Sequence, residues 1–83
     1  MNTLDEIRSA MAAIKKSVDE QNVDLYLAQR EAVELFIVLR QMKTAENAQE
    51  VEKLAEEILN LVKYIGHEIG VQENEIRLTN PDI

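Results

Sequence analysis

Three segments of this chain repeat apolar residues at helical spacing, and one of them carries more apolar surface than its length explains. It runs from Asn22 to Met42 and reads NVDLYLAQREAVELFIVLRQM. At about 100° per residue, Leu25, Ala28, Ala32, Leu35, Phe36, Leu39 and Met42 fall on one helical face, with Leu27 and Val38 widening it on one flank. A second stripe, Tyr26, Val33 and Ile37 with Arg30 at its edge, lies roughly 100° or more around the helix from the first. One stripe is enough to seat a helix in a small bundle. The second predicts surface for a partner, most simply another copy of the chain.

The flanking segments are simpler. Leu4, Ile7, Met11, Ile14 and Val18 step by three and four, a narrow coiled-coil-like seam in which Ala10 and Ala13 allow close approach. Thr3 and Glu6 form a T-x-x-E capping box, and Asp5 and Glu6 suit the positive end of the helix dipole. The third segment places Val51, Leu54, Ala55, Ile58, Leu61, Val62, Ile65 and Ile69 on one face, and Glu52, Lys53, Glu56, Glu57, Asn60, Lys63, Tyr64 and His67 on the other. Asn22 is read as the N-cap of the second helix, and Asn47 with Glu50 as an N-x-x-E cap opening the third. Gly70 is read as the residue that ends it. The predicted helices span 4–20, 23–43 and 48–69. Residues 1–70 form one domain, and 71–83 form an extended or disordered tail, with weak period-two alternation around Glu75 to Leu78. The fold class is all-α: an up-down-up three-helix bundle with the second helix central, assembling as a dimer.

Composition sharpens this. With 83 residues, a single domain buries only about 60% of the surface its unfolded chain exposes, and such domains are often reinforced by disulfides, metals or oligomerisation. There are no cysteines and one histidine, so a disulfide, a thiolate zinc site and a multi-histidine site within one chain are excluded. That leaves oligomerisation. Two glycines and one proline fit a mostly helical chain, and three aromatics imply an aliphatic core. The net charge of −7, from 16 acids against 9 bases, argues against direct nucleic-acid binding and admits a basic protein partner. No basic segment leads into an apolar run at the N-terminus, and the longest apolar run, Leu35 to Leu39, is far short of the ~20 residues of a membrane span. A cytoplasmic protein without membrane contact is the expectation.

Candidate chemistry is sparse. His67 points away from the apolar face and lacks the positioned partner that acid–base catalysis needs. His67-Glu68-Ile69-Gly70 superficially resembles the phospho-acceptor box of sensor histidine kinases, but Val71 and Gln72 stand where that box continues toward a proline. Glu31 and Glu34 with Glu57 and Asn60 faintly resemble the magnesium cluster of all-α nucleotide pyrophosphohydrolases. The helical phases set the two pairs on non-facing surfaces, and Asn60 replaces an acid. No catalytic, cofactor or metal residues are therefore predicted. The candidate sites are surfaces: Tyr26, Arg30, Val33 and Ile37 for self-association, and Glu46, Glu50, Glu52, Glu56, Glu57 and Tyr64 for contact with a basic partner. The functional expectation is a non-enzymatic protein that binds and inhibits or neutralises another, the class that includes immunity proteins, antitoxins and phage inhibitors. The alternatives are an adaptor module in a larger assembly and an acidic nucleic-acid mimic.

Overall fold

The computed structural model describes residues 3–79, with side chains through Glu75. It contains three α-helices: α1 (Leu4–Asp19), α2 (Leu25–Gln41) and α3 (Ala48–Thr79). Arg8 near the start of α1 meets Glu50 near the start of α3, whereas Lys43 beyond the end of α2 meets Glu52 and Tyr26 at its start meets Glu73. The helices thus run up, down and up. Each touches the other two, and α2 packs most extensively on α3.

Caps set the boundaries. Thr3 Oγ1 accepts from the Glu6 amide at 3.2 Å, the first half of the predicted capping box. α1 closes with a Schellman motif: the Asn22 amide donates to Ser17 O at 3.2 Å and the Gln21 amide to Val18 O at 3.1 Å. Gln21 takes the left-handed conformation this requires, at φ 57°. With Asn22 occupied by that closure, its side chain bonds Glu20 and the N-cap of α2 passes to Asp24. Asp24 Oδ1 accepts from the Tyr26 amide at 2.8 Å and the Leu27 amide at 3.2 Å, so the reading of Asn22 as the cap is corrected. The predicted Asn47–Glu50 cap is corrected too. Asn47 turns back on the loop: its amide donates to Thr44 Oγ1, and its Oδ1 accepts from the Thr44 amide at 2.6 Å. Thr44 and Asn47 form the reciprocal box one turn earlier, and Asn47 Nδ2 also donates to Met42 O.

The largest departure lies at the other end of α3. The helix does not stop at Gly70 but continues to Thr79. A C′ glycine works through positive φ, and neither Gly66 nor Gly70 has it. Nothing from Val71 to Thr79 forbids helix, and the first strong breaker in the sequence is Pro81. The extended tail expected from residue 71 is therefore helical as far as Thr79, and residues 80–83 lie outside the described part. At about 1.5 Å per residue α3 is about 48 Å long, against roughly 25 Å for each partner. The molecule is accordingly elongated, 57 × 18 × 14 Å.

The core follows the heptad-like seams. Ile7, Ile14 and Val18 of α1 meet Leu25, Ala28, Ala32, Leu35 and Leu39 of α2 and Val51, Leu54, Ala55, Ile58, Leu61 and Ile65 of α3. Among the described residues no polar or charged side chain is buried. Polar contacts instead fasten the helices at the surface: Arg8–Glu50 at 2.6 Å, Tyr64–Asp19 at 2.5 Å, Lys43–Glu52 at 2.5 Å and Tyr26–Glu73 at 2.6 Å.

Candidate protein-binding surfaces

α2 presents apolar side chains to solvent on both of its flanks. On the flank toward α3, Tyr26 is 62% exposed, Val33 42% and Ile37 51%. These are the residues predicted for self-association. The stripe widens across the helix–helix crease, where Phe36 and Arg40 of α2 share a shallow depression with Ala55 and Leu59 of α3, and Leu59 is 45% exposed. The Arg40 guanidinium stands 5.9 Å from the Phe36 ring centroid, within cation–π range. Tyr26 anchors one end by donating its hydroxyl to Glu73, and Arg30 pairs with Glu34 at 3.3 Å. Leu59 was not singled out from sequence. The signal was present, since Leu59 lies one helical step of about 100° beyond Ile58, toward the side that α2 covers only in part.

The flank toward α1 has a different form. Ala10, Ala13 and Ile14 face Leu35 and Val38 across an open groove of about 490 Å³. Glu31 and Glu34 stand at its edge. On the α2 helical wheel Leu27, 49% exposed, lies between Glu34 and Val38 and extends this flank toward the start of the helix. Sequence reasoning gave Ala10 and Ala13 only a role in close packing, yet Ala13 is exposed in the groove wall.

The acids expected to form one partner-facing flank are divided. Glu50 and Glu57 lie toward α1: Glu50 is held by Arg8, and Glu57 borders a groove of about 590 Å³ with Arg8, Lys15, Asn60 and Tyr64. Glu52 and Glu56 lie toward α2, where Glu52 meets Lys43 and, at 3.7 Å, Arg40. Glu46 sits in the α2–α3 turn. Bonding to Lys43, then the charges of Lys43 and Arg40, hold the Glu52 carboxyl below its ordinary range. Tyr64 is not outward as predicted. It is half-buried against the core, and its bond to Asp19 raises its hydroxyl above the ordinary tyrosine value. The Tyr26 hydroxyl is raised in the same way by Glu73.

His67 is exposed on α3. Glu31 and Glu34 open onto the α1–α2 groove, while Glu57 and Asn60 open onto the α1–α3 groove, so the two pairs do not converge. Among the described residues no group of three histidine or carboxylate side chains is placed to hold a metal ion, and no helix is long and apolar enough to cross a membrane. No protein-family model, curated protein or solved structure matches the chain.

Proposed function

We propose that this chain is a non-enzymatic binding protein that self-associates through the α3-facing flank of α2 and acts in the cytoplasm by occupying, and thereby inhibiting, a basic protein partner. The observation that carries the reading is the exposed apolar stripe of Tyr26, Val33, Ile37 and Leu59. Stripes of this kind are rare on small soluble monomers unless something covers them. Tyr and Arg are the residue types that contribute most at protein interfaces, and Tyr26, Arg30 and Arg40 border or belong to this one. The net charge of −7 favours a basic partner and speeds its encounter.

The test begins with mass in solution. The wild-type chain should sediment as an oligomer. Val33→Glu, which would bury an unpaired carboxylate at a cost of several kcal/mol, should sediment as a monomer with its helicity kept. Affinity capture followed by an activity assay of the captured protein then tests inhibition. A wild-type monomer whose partner is lost on Val33→Glu would instead support an adaptor that docks its partner directly on the stripe. A chain that captures nothing would remove the binding reading altogether.

A further inference from the structure

On the reading that the chain binds a protein, the two grooves beside α1 and the acids of α3 offer different seats for a basic partner, and their charges discriminate between them. In the α1–α3 groove Arg8 and Lys15 stand with Asp19 and Glu57, and Arg8 is already held by Asp5 and Glu50. That groove has no net sign to recognise. On α3, Glu50 and Glu52 are neutralised within the molecule by Arg8 and Lys43. The α1–α2 groove differs in having charged lining residues of one sign, one of which, Glu31, is unpaired. Its floor is apolar and its wall on α1 is low, because Ala10 and Ala13 contribute only methyl groups. The charged residues that line it, Glu31 and Glu34, are both acids. Glu31 makes no hydrogen bond or ion pair within the described structure, and Glu34 has one exposed contact, to Arg30.

We propose that this groove seats a basic amphipathic helix of the partner. The apolar side of such a helix would lie on Ala10, Ala13, Leu35 and Val38, completing a fourth position around α1 and α2 as in helix-in-groove recognition. Its lysines or arginines would reach Glu31 and Glu34. A second copy of this chain is a poor occupant. Two-fold docking of groove on groove would bring Glu31 and Glu34 toward their own copies, and like charges in a closing interface are unfavourable.

The probe is a synthetic helical peptide with leucines at positions i, i+3, i+4 and i+7 and lysines between them. Its control carries glutamates in place of the lysines. The lysine peptide should shift the backbone NMR signals of Ala10, Ala13 and Val38, and the glutamate peptide should not. The double variant Glu31→Lys/Glu34→Lys, altered only at exposed helix positions, should weaken the lysine peptide by roughly tenfold or more, as should ionic strength raised toward about 1 M. Ala13→Lys should weaken it as well by filling the groove. Shifts centred on Glu56 and Glu57 or on the Val33 stripe, equal binding of the glutamate peptide, or full affinity in the double variant would each overturn the groove as the seat. No binding at all would overturn it too, while a wild-type chain that still oligomerises and captures a partner would keep the broader reading intact.

Discussion

Both flanks of α2 expose apolar side chains, more of them toward α3, and they differ in the charges at their edges. Toward α3, Tyr26, Val33, Ile37 and Leu59 are bordered by Arg30 and Arg40 with Glu34 and Glu52 close by, so both signs are present. Toward α1, the charged residues lining the groove beside Val38 are both acids, Glu31 and Glu34, the latter paired with Arg30 outside the groove. An interface between identical chains is self-complementary, and mixed charge can satisfy that condition where a single sign cannot. On the proposed reading, apolar exposure marks where a partner docks, and the sign of the border sorts self from foreign.

The comparison is broken most severely if either flank proves to be core. Ile58→Ala, at a position fully buried between the three helices, should lose about 2–5 kcal/mol in chemical denaturation, enough to threaten a domain of this size. Leu27→Ala should lose no more than about 0.5 kcal/mol, as surface substitutions generally do. A loss at Leu27 matching that at Ile58 would mean the α1-facing flank is structural. The next effect separates the flanks from each other. Val33→Glu should reduce the oligomer to monomer in sedimentation, and Ala13→Glu on the other flank should leave the mass unchanged. The reverse result would exchange their roles.

Smaller effects test the frame. Gly70→Ala places a methyl group where no atom beyond the surrounding helix backbone lies within 4 Å, and should raise stability by about 0.5–1 kcal/mol. Were the helix to stop at Gly70 in the left-handed conformation, the same change would destabilise. The smallest effect is with pH. Bonds to Glu73 and Asp19 raise the hydroxyls of Tyr26 and Tyr64, so their contribution is complete below the unfolded tyrosine value of about 10 and is lost as pH rises through the higher folded value. Tyr26→Phe combined with Tyr64→Phe should flatten the alkaline limb of melting temperature against pH. Glu52 has the opposite sign. Its lowered carboxyl contributes above the unfolded value of about 4.3 and ceases to do so as pH falls through its folded value.

The helical faces were legible because many residues repeat the same phase. From Val51 to Ile65, α3 offers several independent votes for one direction, and the buried set follows them. The exposure of Tyr26, Val33 and Ile37 was legible for the same reason. The caps were not, because Asn22, Asp24, Thr44 and Asn47 are all good capping residues, and the choice among them depends on the left-handed turn at Gln21 and on the reciprocal Thr44–Asn47 bonds. Gly70 misled because glycine permits a stop without compelling one. The division of the acids was illegible because it depends on how α3 is rotated between its neighbours. Glu50 and Glu52 are two residues apart in sequence and turn to different helices.

The length of α3 also divides the chain in time. Past Glu73, whose carboxylate accepts from the Tyr26 hydroxyl of α2, the helix runs on for six residues to Thr79, about 9 Å beyond that bond. Amides from Val51 to Ile65, whose helix is clamped along the core, should exchange with deuterium only when the whole bundle opens, whereas those of the last turn should exchange through local fraying, orders of magnitude faster. The Tyr26–Glu73 bond lies between the two regimes. A partner that rests against the start of α2 would move that boundary outward along α3, and slowed exchange beyond Glu73 would record its arrival.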